Sequence, residues 1–271
     1  MREIGLEELK AIQLDILVKV RDFCAAGNLR YFLAGGTLLG AVRHKGYIPW
    51  DDDIDIVMPR PDYDRFVMTF NGSDENLEVL APEHDGNFYA PYANVCDRRT
   101  LLIEEGNGHN GKQMGVKIDV FPLDGVPQDF EKYRALQKRI NVLNKRMWYK
   151  RVPLSEAYAS GGWKEAFIYW EHKARYIFRS YASLQAEVGK LARSVPYEGA
   201  EYVDDIVYNP YPLARVQATV FSSFIEVPFE DRIFRIPSGY DAYLRALYDD
   251  YMQLPPEEKR VAHHGFSAYW K

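Results

Sequence analysis

The sequence predicts a fold of mixed helices and strands, with an α/β N-terminal half followed by a mostly helical half. Short apolar segments that end at Gly or Pro alternate with segments of helical spacing up to about residue 125. Residues 128–150 and 163–194 are instead dense in Lys, Arg, Leu and Tyr at helical spacing, joined by a connection at 152–162. The proportions of 47% hydrophobic and 27% charged residues exclude a disordered or collagen-like chain. We therefore expect a core of residues 1–127 and a helical region of residues 128–271, whose short strands pack on that core.

The first elements follow from local patterns. Apolar positions over residues 6–26 have helical spacing, and Gly27-Asn28 supplies a left-handed stop. A short buried strand at 31–34 is broken by Gly35-Gly36, after which Thr37 is predicted to cap a short helix ending at about Arg43. Further segments are predicted as strands at 54–58, 78–80, 89–96, 100–104 and 115–121, and as helices at 61–70 and 240–252.

Charge and cysteine content narrow the functional class. The net charge of −5 argues against non-specific binding to nucleic acid, which needs a basic surface. Charged residues interrupt the N-terminus, so no signal peptide is expected there, and no apolar run is long enough to span a bilayer. Cys24 and Cys96 both lie in apolar contexts and are predicted to be buried free thiols. These features predict a cytoplasmic protein.

Aspartates carry the clearest chemical signal. Asp53 and Asp55 flank Ile54 in an apolar strand, so a period of two places both carboxylates on one face. Asp119 repeats this pattern in another strand, where it shares a face with Lys117. A run of Asp alone is more commonly a solvated turn or a helix cap. Like charges this close repel unless a cation lies between them, and carboxylate oxygens suit Mg²⁺ or Mn²⁺.

The segment before these acids has features of a phosphate site. Gly35 and Gly36 open a helix directly after a strand, where backbone N–H groups can approach a phosphate because no Cβ intervenes. Arg43, His44 and Lys45 could add positive charge, and Trp50 could be core or the flat wall of a substrate site. The alternatives are a tight turn without ligand and a solvated basic loop.

Two other motifs are weaker. Residues Gly106–Gly111 match G-x-G-x-x-G, but no helical pattern follows, so we interpret them as a hairpin loop. His263 and His264 are adjacent, and adjacent side chains diverge in a strand or helix, so a single metal ion is not expected to bind both. A structural or substrate-positioning role is the better interpretation for this pair.

Several motifs together resemble the LicD family. They are the run Gly35–Asp55, the segment Lys117–Asp124 with its sequence KIDVFPLD, and the C-terminal segments Asp249–Met252, Leu254–Arg260 and His263-His264. They cover about 30–265, which is nearly the whole chain. The family commonly has Tyr-Gly-Asp where this chain has Tyr248-Asp249-Asp250, a departure that alters a turn but no predicted metal ligand.

The resemblance implies an α+β fold with a nucleotidyltransferase-like mixed sheet flanked by helices. It implies transfer of phosphocholine or a related phospho-alcohol group from a CDP-activated donor to a glycan hydroxyl, with release of CMP. By motif, Asp53, Asp55 and Asp119 would be catalytic and hold Mg²⁺ or Mn²⁺, with Asp51 as a less certain ligand. The alternatives are a nucleotidyltransferase that releases pyrophosphate from an NTP, and an inactive module that binds a glycan or a partner.

One basic segment raises the question of membrane contact. Residues 132–151 contain eight Lys or Arg residues and no acid, and Met147, Trp148 and Tyr149 lie near their end. A basic helix with aromatic residues at one end suits an anionic membrane surface, and glycan acceptors of LicD-like enzymes are often built on lipid carriers at the inner face. The competing interpretation is a helix that docks on the N-terminal half. The sequence does not indicate the oligomeric state.

Overall fold

The computed structural model describes residues 1–104, 114–208, 214–260 and 266–271. The helices within these ranges are α1 (Leu6–Ala26), α2 (Gly35–Arg43), α3 (Arg60–Thr69), α4 (Phe130–Arg151), α5 (Leu154–Arg175), α6 (Tyr181–Ala192) and α7 (Tyr240–Tyr248). The strands are β1 (Arg2–Ile4), β2 (Phe32–Leu33), β3 (Asp55–Pro59), β4 (Leu77–Leu80), β5 (Ala93–Asp97), β6 (Thr100–Glu104), β7 (Lys117–Val126), β8 (Tyr202–Asp204), β9 (Val216–Gln217), β10 (Phe224–Phe229), β11 (Arg232–Pro237) and β12 (Phe266–Trp270). The predicted α+β class is confirmed.

A mixed sheet with the order β2-β3-β7-β5-β4 forms the centre of the protein. Strands β3 and β7 run parallel, and the other neighbours in this order are antiparallel. The last residues of β7 leave β5 and pair with β8, which in turn pairs with β9. Because the long strand β7 pairs with β3, β5 and β8, it fixes the position of the acidic motif relative to the rest of the sheet.

Strands from the second half of the chain pair with strands from the first half. β8 pairs with β7, and β12 pairs with both β1 and β6. The sequence analysis did not predict β1 or β12. Strand pairing crosses the predicted boundary at residue 127. The division into residues 1–127 and 128–271 stays a prediction.

The core buries the apolar face of α1 and both faces of the central strands. Along α1 the buried positions are Leu9, Ile12, Gln13, Ile16, Leu17, Val20 and Cys24, which follow the helical period. Strand β5 is buried at every position, as expected for a strand covered on two sides. Cys24 and Cys96 are buried free thiols, as predicted.

Several predicted boundaries are wrong. The predicted connection at 152–162 is helical from Leu154, because Pro153 precedes the helix at a position where its missing N–H costs nothing. The break falls at Gly161 and Gly162 instead, where Gly162 has φ +62°. The predicted helix 163–194 is two helices, α5 and α6, and the last helix ends at Tyr248 rather than at residue 252. Strand β5 begins at Ala93 rather than at residue 89.

Two predictions lie outside the described residues. These are the hairpin loop at Gly106–Gly111 and the histidine pair His263-His264.

Candidate active site

Two aspartates on neighbouring parallel strands form the centre of the candidate site. Asp55 opens β3, Asp119 lies near the start of β7, and the strand register pairs the two residues directly. Directly paired residues point to the same face of a sheet. Asp55 and Asp119 therefore project from one face, as the sequence pattern predicted for the acids of the two strands.

The segment before β3 adds two more carboxylates. Burial alternates over residues 51–55: Asp51, Asp53 and Asp55 are partly exposed, whereas residues 52 and 54 are buried. This alternation agrees with the prediction that Asp53 and Asp55 share a face, and it places Asp51 on that face as well. The side chain of Gln13 from α1 supports the segment, since its Nε2 donates to the carbonyl of Asp52 at 2.9 Å.

The acids affect one another electrostatically. Burial raises the pKa of the Asp55 carboxyl well above its ordinary value, and the charges of Asp53, Asp119 and Asp51 raise it further. Only Lys117 acts in the opposite direction among the principal neighbours. The cluster of Asp51, Asp53, Asp55 and Asp119, here called the acidic cluster, is thus a region where added positive charge would be favourable.

Asp119 is held by two donors. Lys117 Nζ lies 2.7 Å from Asp119 Oδ1, and Asn94 Nδ2 of β5 donates to the same oxygen at 2.5 Å. Asn94 is in turn fixed by the hydroxyl of Tyr89, which donates to its Oδ1 at 2.7 Å. The sequence analysis missed Asn94. The signal was an amide in the otherwise apolar run 93–96, but only the pairing of β5 with β7 brings it to Asp119.

The start of α2 lies against the acidic cluster. A Cβ on Gly36 would lie 2.6 Å from Asp51 Oδ2, and one on Gly35 would lie 3.1 Å from Asp55 Oδ2. Gly35 also has φ +51°, a conformation that other residues rarely adopt. The glycine pair therefore allows the positive end of the α2 dipole to lie beside the carboxylates.

Thr37 does not cap α2. The helix already begins at Gly35, so Thr37 falls within its first turn, and its Oγ1 accepts a hydrogen bond from the backbone N–H of Asp55 at 2.8 Å. This bond ties the start of α2 to the start of β3. Thr37 thus positions the two elements that meet at the acidic cluster.

The basic residues predicted for phosphate binding lie at the other end of α2. Arg43 is eight residues from Gly35, a distance of about 12 Å along a helix. Its Nη1 donates to the carbonyl of Tyr251 at 2.8 Å and its Nε to His44 Nε2 at 2.9 Å. Burial and the charge of Arg43 lower the pKa of His44. Lys45 is exposed, and its backbone has φ +60°.

Trp50 lies in sequence between the basic residues Arg43, His44 and Lys45 and the acidic cluster, and it is partly buried. The guanidinium of Arg260 lies over its ring at 5.8 Å from the centroid, and the His44 ring meets it edge-on at 6.3 Å. One face of the indole is therefore already occupied by a cation from the C-terminal segment. The structure thus links Trp50 to His44, and His44 to Arg43.

The acidic cluster has the chemistry of a site for a hard cation, since all four groups offer carboxylate oxygens. Within the described ranges, however, no three side chains of His, Cys, Asp or Glu stand in the arrangement of a complete metal site. Asp119 Oδ1 already receives hydrogen bonds from Lys117 and Asn94. A Mg²⁺ ion commonly takes one or two carboxylates and completes its shell with substrate phosphates, so the residues present fit such an ion in the presence of a phosphorylated ligand.

Comparison with known proteins supports the resemblance noted in the sequence. The chain is 29% identical over 276 residues to the lipopolysaccharide cholinephosphotransferase LicD of Haemophilus influenzae, and the match covers 99% of each protein. It is 44% identical over 129 residues to an uncharacterized protein of Rickettsia typhi, covering 46% of this chain and 38% of that one. A 31-residue segment is 58% identical to the human ribitol 5-phosphate transferase FKRP, covering 11% of this chain and 6% of that one.

The family model described as the LicD/FKTN/FKRP nucleotidyltransferase domain matches residues 28–154. These residues include α2, β3 and β7, and with them all four members of the acidic cluster. Residues 28–154 of the chain are therefore identified as a nucleotidyltransferase domain of the LicD/FKTN/FKRP family.

Proposed function

We propose that this protein transfers phosphocholine or a related phospho-alcohol group from a CDP-activated donor to a hydroxyl of a cell-surface glycan, and that the reaction needs a divalent cation. The observation that carries the proposal is the direct pairing of Asp55 with Asp119 on parallel strands, beside the positive end of α2. The similarity to a lipopolysaccharide cholinephosphotransferase over 99% of both chains supports the type of reaction.

The cation would be Mg²⁺ or Mn²⁺. Asp53, Asp55 and Asp119 would hold it, with Asp51 as a further candidate. When bound, such an ion offsets the negative charge of the diphosphate during transfer. Burial and, after it, the charges of the acidic neighbours raise the pKa of Asp55, so a cation at this position would also remove an unfavourable repulsion.

The remaining chemistry falls to residues of this chain. The backbone N–H groups of the first turn of α2, at Gly35, Gly36 and Thr37, would bind donor phosphate oxygens. Asp119 would accept the proton of the acceptor hydroxyl, oriented for this by Lys117 and Asn94. The acceptor oxygen then forms a bond to the β-phosphorus of the donor, and the bond from that phosphorus to CMP breaks, with the electron pair leaving on CMP.

Arg43, His44 and Lys45 lie at the C-terminal end of α2, so they stay candidates only for binding a part of the donor that is distant from the acidic cluster. A donor that reached them from the acidic cluster would span about 12 Å. Trp50, between them and Asp51, would then border the donor.

A screen of donors tests the proposal. Purified protein with Mg²⁺ is incubated with CDP-choline, CDP-ethanolamine, CDP-glycerol or CDP-ribitol, and CMP is measured by chromatography. We expect slow CMP release from one of these donors without acceptor, and faster release with oligosaccharides cleaved from lipopolysaccharide. Release of pyrophosphate from an NTP, with no CMP from any donor, would instead identify a nucleotidyltransferase, the activity that the domain description names. The absence of both products, together with no binding of Mg²⁺ or Mn²⁺, would favour an inactive binding module.

We also propose peripheral contact with a membrane, through α5 rather than through α4. In the described ranges no helix is long and apolar enough to cross a bilayer. On α4, Met147 and Tyr149 are buried and cannot reach a membrane. On α5, Trp163, Phe167 and Trp170 are 82%, 72% and 60% exposed.

The spacing and surroundings of these aromatic residues support this contact. Residues at i, i+4 and i+7 lie on one face of a helix, so the three form a continuous apolar strip. Phe178, just beyond the end of α5, is 98% exposed. Residues 145–179 contain eight Lys or Arg and three Glu, a net charge of +5 in a chain whose total is −5. Exposed aromatic residues amid positive charge suit an anionic bilayer surface.

A further inference from the structure

A cavity of about 490 Å³ lies between residues 89–92 and the helices α4 and α6. Its volume is within the range of ordinary small-ligand sites. Aromatic side chains dominate its walls: Tyr89, Tyr92, Trp148, Tyr181 and Tyr208. Neither the sequence motifs nor the comparisons assign a role to this cavity.

Hydrogen bonds connect the wall of the cavity to the acidic cluster. Tyr89, in its wall, donates to Asn94, which donates to Asp119. The charge of Asp119 contributes to the raised pKa of both Tyr92 and Tyr208, after the larger effect of burial. A ligand in the cavity would therefore lie within reach of Asp119.

The cavity and the start of α2 lie on opposite sides of Asp119. In the sheet order β2-β3-β7-β5, the start of α2 contacts the β3 side through Asp55, whereas the cavity lies on the β5 side, beyond Asn94. If donor phosphates bind at the start of α2, a second substrate must approach Asp119 from the other side. The cavity is in that position.

The charges of the cavity restrict its ligand. Its wall contains two cations, Arg151 and Lys145, and no carboxylate among the described residues that form it. The Lys145 ammonium is also 3.1 Å from Glu165 of α5, which lies outside the wall. The Arg151 guanidinium lies 5.6 Å from the Tyr89 ring centroid and 5.7 Å from that of Tyr181, and its Nη1 donates to the Tyr89 carbonyl at 2.9 Å. Aromatic faces that already carry a cation are poorly suited to a quaternary ammonium group, which seeks the same faces. They suit a neutral or anionic ligand with flat apolar surfaces and hydroxyls.

We infer that this cavity binds a sugar residue of the acceptor, neutral or phosphate-bearing, and presents its hydroxyl to Asp119. The cationic headgroup of a choline donor would lie outside it. This inference rests on the proposed transferase function.

Steady-state kinetics on Trp148→Ala tests the inference. With CDP-choline and oligosaccharides cleaved from lipopolysaccharide, we expect KM for the oligosaccharide to rise about tenfold, the effect of losing one stacking surface. KM for CDP-choline should change less than twofold, and Trp148→Phe should restore most of the loss. A rise in KM for CDP-choline with no change for the oligosaccharide would overturn the inference and assign the cavity to the donor.

A second variant and a binding measurement keep the inference separate from the proposed function. Lys145→Glu places a carboxylate on the cavity wall and should weaken binding of phosphate-bearing oligosaccharides, whereas Lys138→Glu, on the exposed side of the same helix, should not. Both are assayed by calorimetric titration of the full chain in EDTA, where no turnover occurs. Oligosaccharide binding that Trp148→Ala abolishes would support the cavity even if no donor released CMP. Absence of binding to the wild type, or equal binding by all variants, would overturn it.

Discussion

Two aspartates on the same strand, Asp119 and Asp124, have opposite surroundings. Asp124 is 1% exposed and receives two hydrogen bonds from Arg60, from Nε at 2.7 Å and Nη2 at 2.6 Å. Asp119 lies among other carboxylates, with Asp55 directly beside it on β3. Burial affects both places, because it raises the pKa of Asp124 as well as that of Asp55.

The difference separates a structural acid from a functional one. At Asp124 the protein supplies the compensating cation, so the pair is complete within the fold. At the acidic cluster Lys117 opposes the effect of the other carboxylates on Asp55, and in the proposed function a bound cation relieves the repulsion among them. Burial alone therefore does not distinguish the two aspartates, whereas the cationic group beside each of them does.

The largest expected effect is on catalysis. Asp53→Asn, Asp55→Asn and Asp119→Asn should each lower turnover at least about 10³-fold, the order of loss when one member of a preorganised electrostatic site is removed. Asp53→Asn and Asp55→Asn should fold, because a neutral amide removes repulsion from the cluster. Asp119→Asn also loses its ion pair with Lys117, so it should fold but be the least stable of the three. Turnover is measured by CMP release and folding by circular dichroism. Asp22→Asn, an exposed acid on α1, is the matched control. Near-normal turnover in Asp119→Asn would show that the third ligand is wrongly assigned.

The contrast predicts the reverse outcome at Asp124. Asp124→Asn removes the buried partner of the Arg60 guanidinium and leaves it only the longer ion pairs with Asp64 at 3.6 Å and Glu83 at 3.9 Å, so the free energy of unfolding should fall by about 3 kcal/mol. Urea unfolding measures this loss. The double variant Arg60→Met, Asp124→Leu removes both charges and should lose less than the single variant. A loss below about 1 kcal/mol in Asp124→Asn would contradict the assignment of this pair to the fold.

The contrast between acidic and basic regions extends to residues 145–179, which contain the aromatic strip of α5 and carry a net charge of +5. Trp163→Ser and Phe167→Ser should each weaken binding to vesicles containing phosphatidylglycerol by about tenfold, because burying one large apolar side chain contributes about 1.5 kcal/mol or more. Vesicle flotation at low salt measures binding. Met68→Ser is the control, since Met68 on α3 is 70% exposed but distant in sequence from the strip. Wild-type protein that stays unbound at low salt would refute membrane contact. Concentration-dependent dimerisation that Trp163→Ser abolishes would assign the strip to a second copy of the chain.

The smallest effect concerns the backbone beside the cluster. Asp249 has φ +57° and ψ −114°, a conformation suited to glycine, at the end of α7, and it is the position where the family commonly has Gly. Asp249→Gly should therefore raise the free energy of unfolding by about 1 kcal/mol, seen as a rise in Tm of about 2–4 °C. Asp250 does not have a positive φ, so Asp250→Gly relieves no backbone strain and should not raise Tm. An unchanged or lower Tm in Asp249→Gly would indicate that the Asp249 side chain makes a compensating contact.

Much of the acidic cluster could be predicted from sequence because its information is local. The period of two places Asp53 and Asp55 on one face, and the same rule applies within β7. The strand-to-helix turn at Gly35-Gly36 is also local, so α2 and its proximity to β3 follow from a short run of residues. The sequence correctly predicts Thr37 at the start of α2, but the predicted cap is wrong. Its hydroxyl accepts a hydrogen bond from Asp55 on β3 instead, which local sequence cannot reveal.

What sequence reasoning missed depends on non-local pairing. Asn94 reaches Asp119 only because β5 pairs with β7. The separation of Arg43 from the acidic cluster, in contrast, follows from the predicted helix that ends at about Arg43. The exposure of the aromatic residues, like the position of Asn94, depends on non-local packing. Met147 and Tyr149 on α4 are buried, with Tyr149 packed against Tyr169 of α5, so the exposed aromatic strip is on α5. Periodicity alone does not distinguish which of two adjacent amphipathic helices faces solvent.

Thermal unfolding with metal and donor tests the central claim that the acidic cluster and the start of α2 form one site for a cation and a diphosphate. Tm is measured for the wild type and for Asp55→Asn with Mg²⁺, with CDP-choline and with both. In the wild type, we expect the shift with both ligands to exceed the sum of the two separate shifts, because Mg²⁺ completes its shell with donor phosphates. Asp55→Asn should lose this excess. Strictly additive shifts in the wild type, or an excess that persists in Asp55→Asn, would contradict the claim.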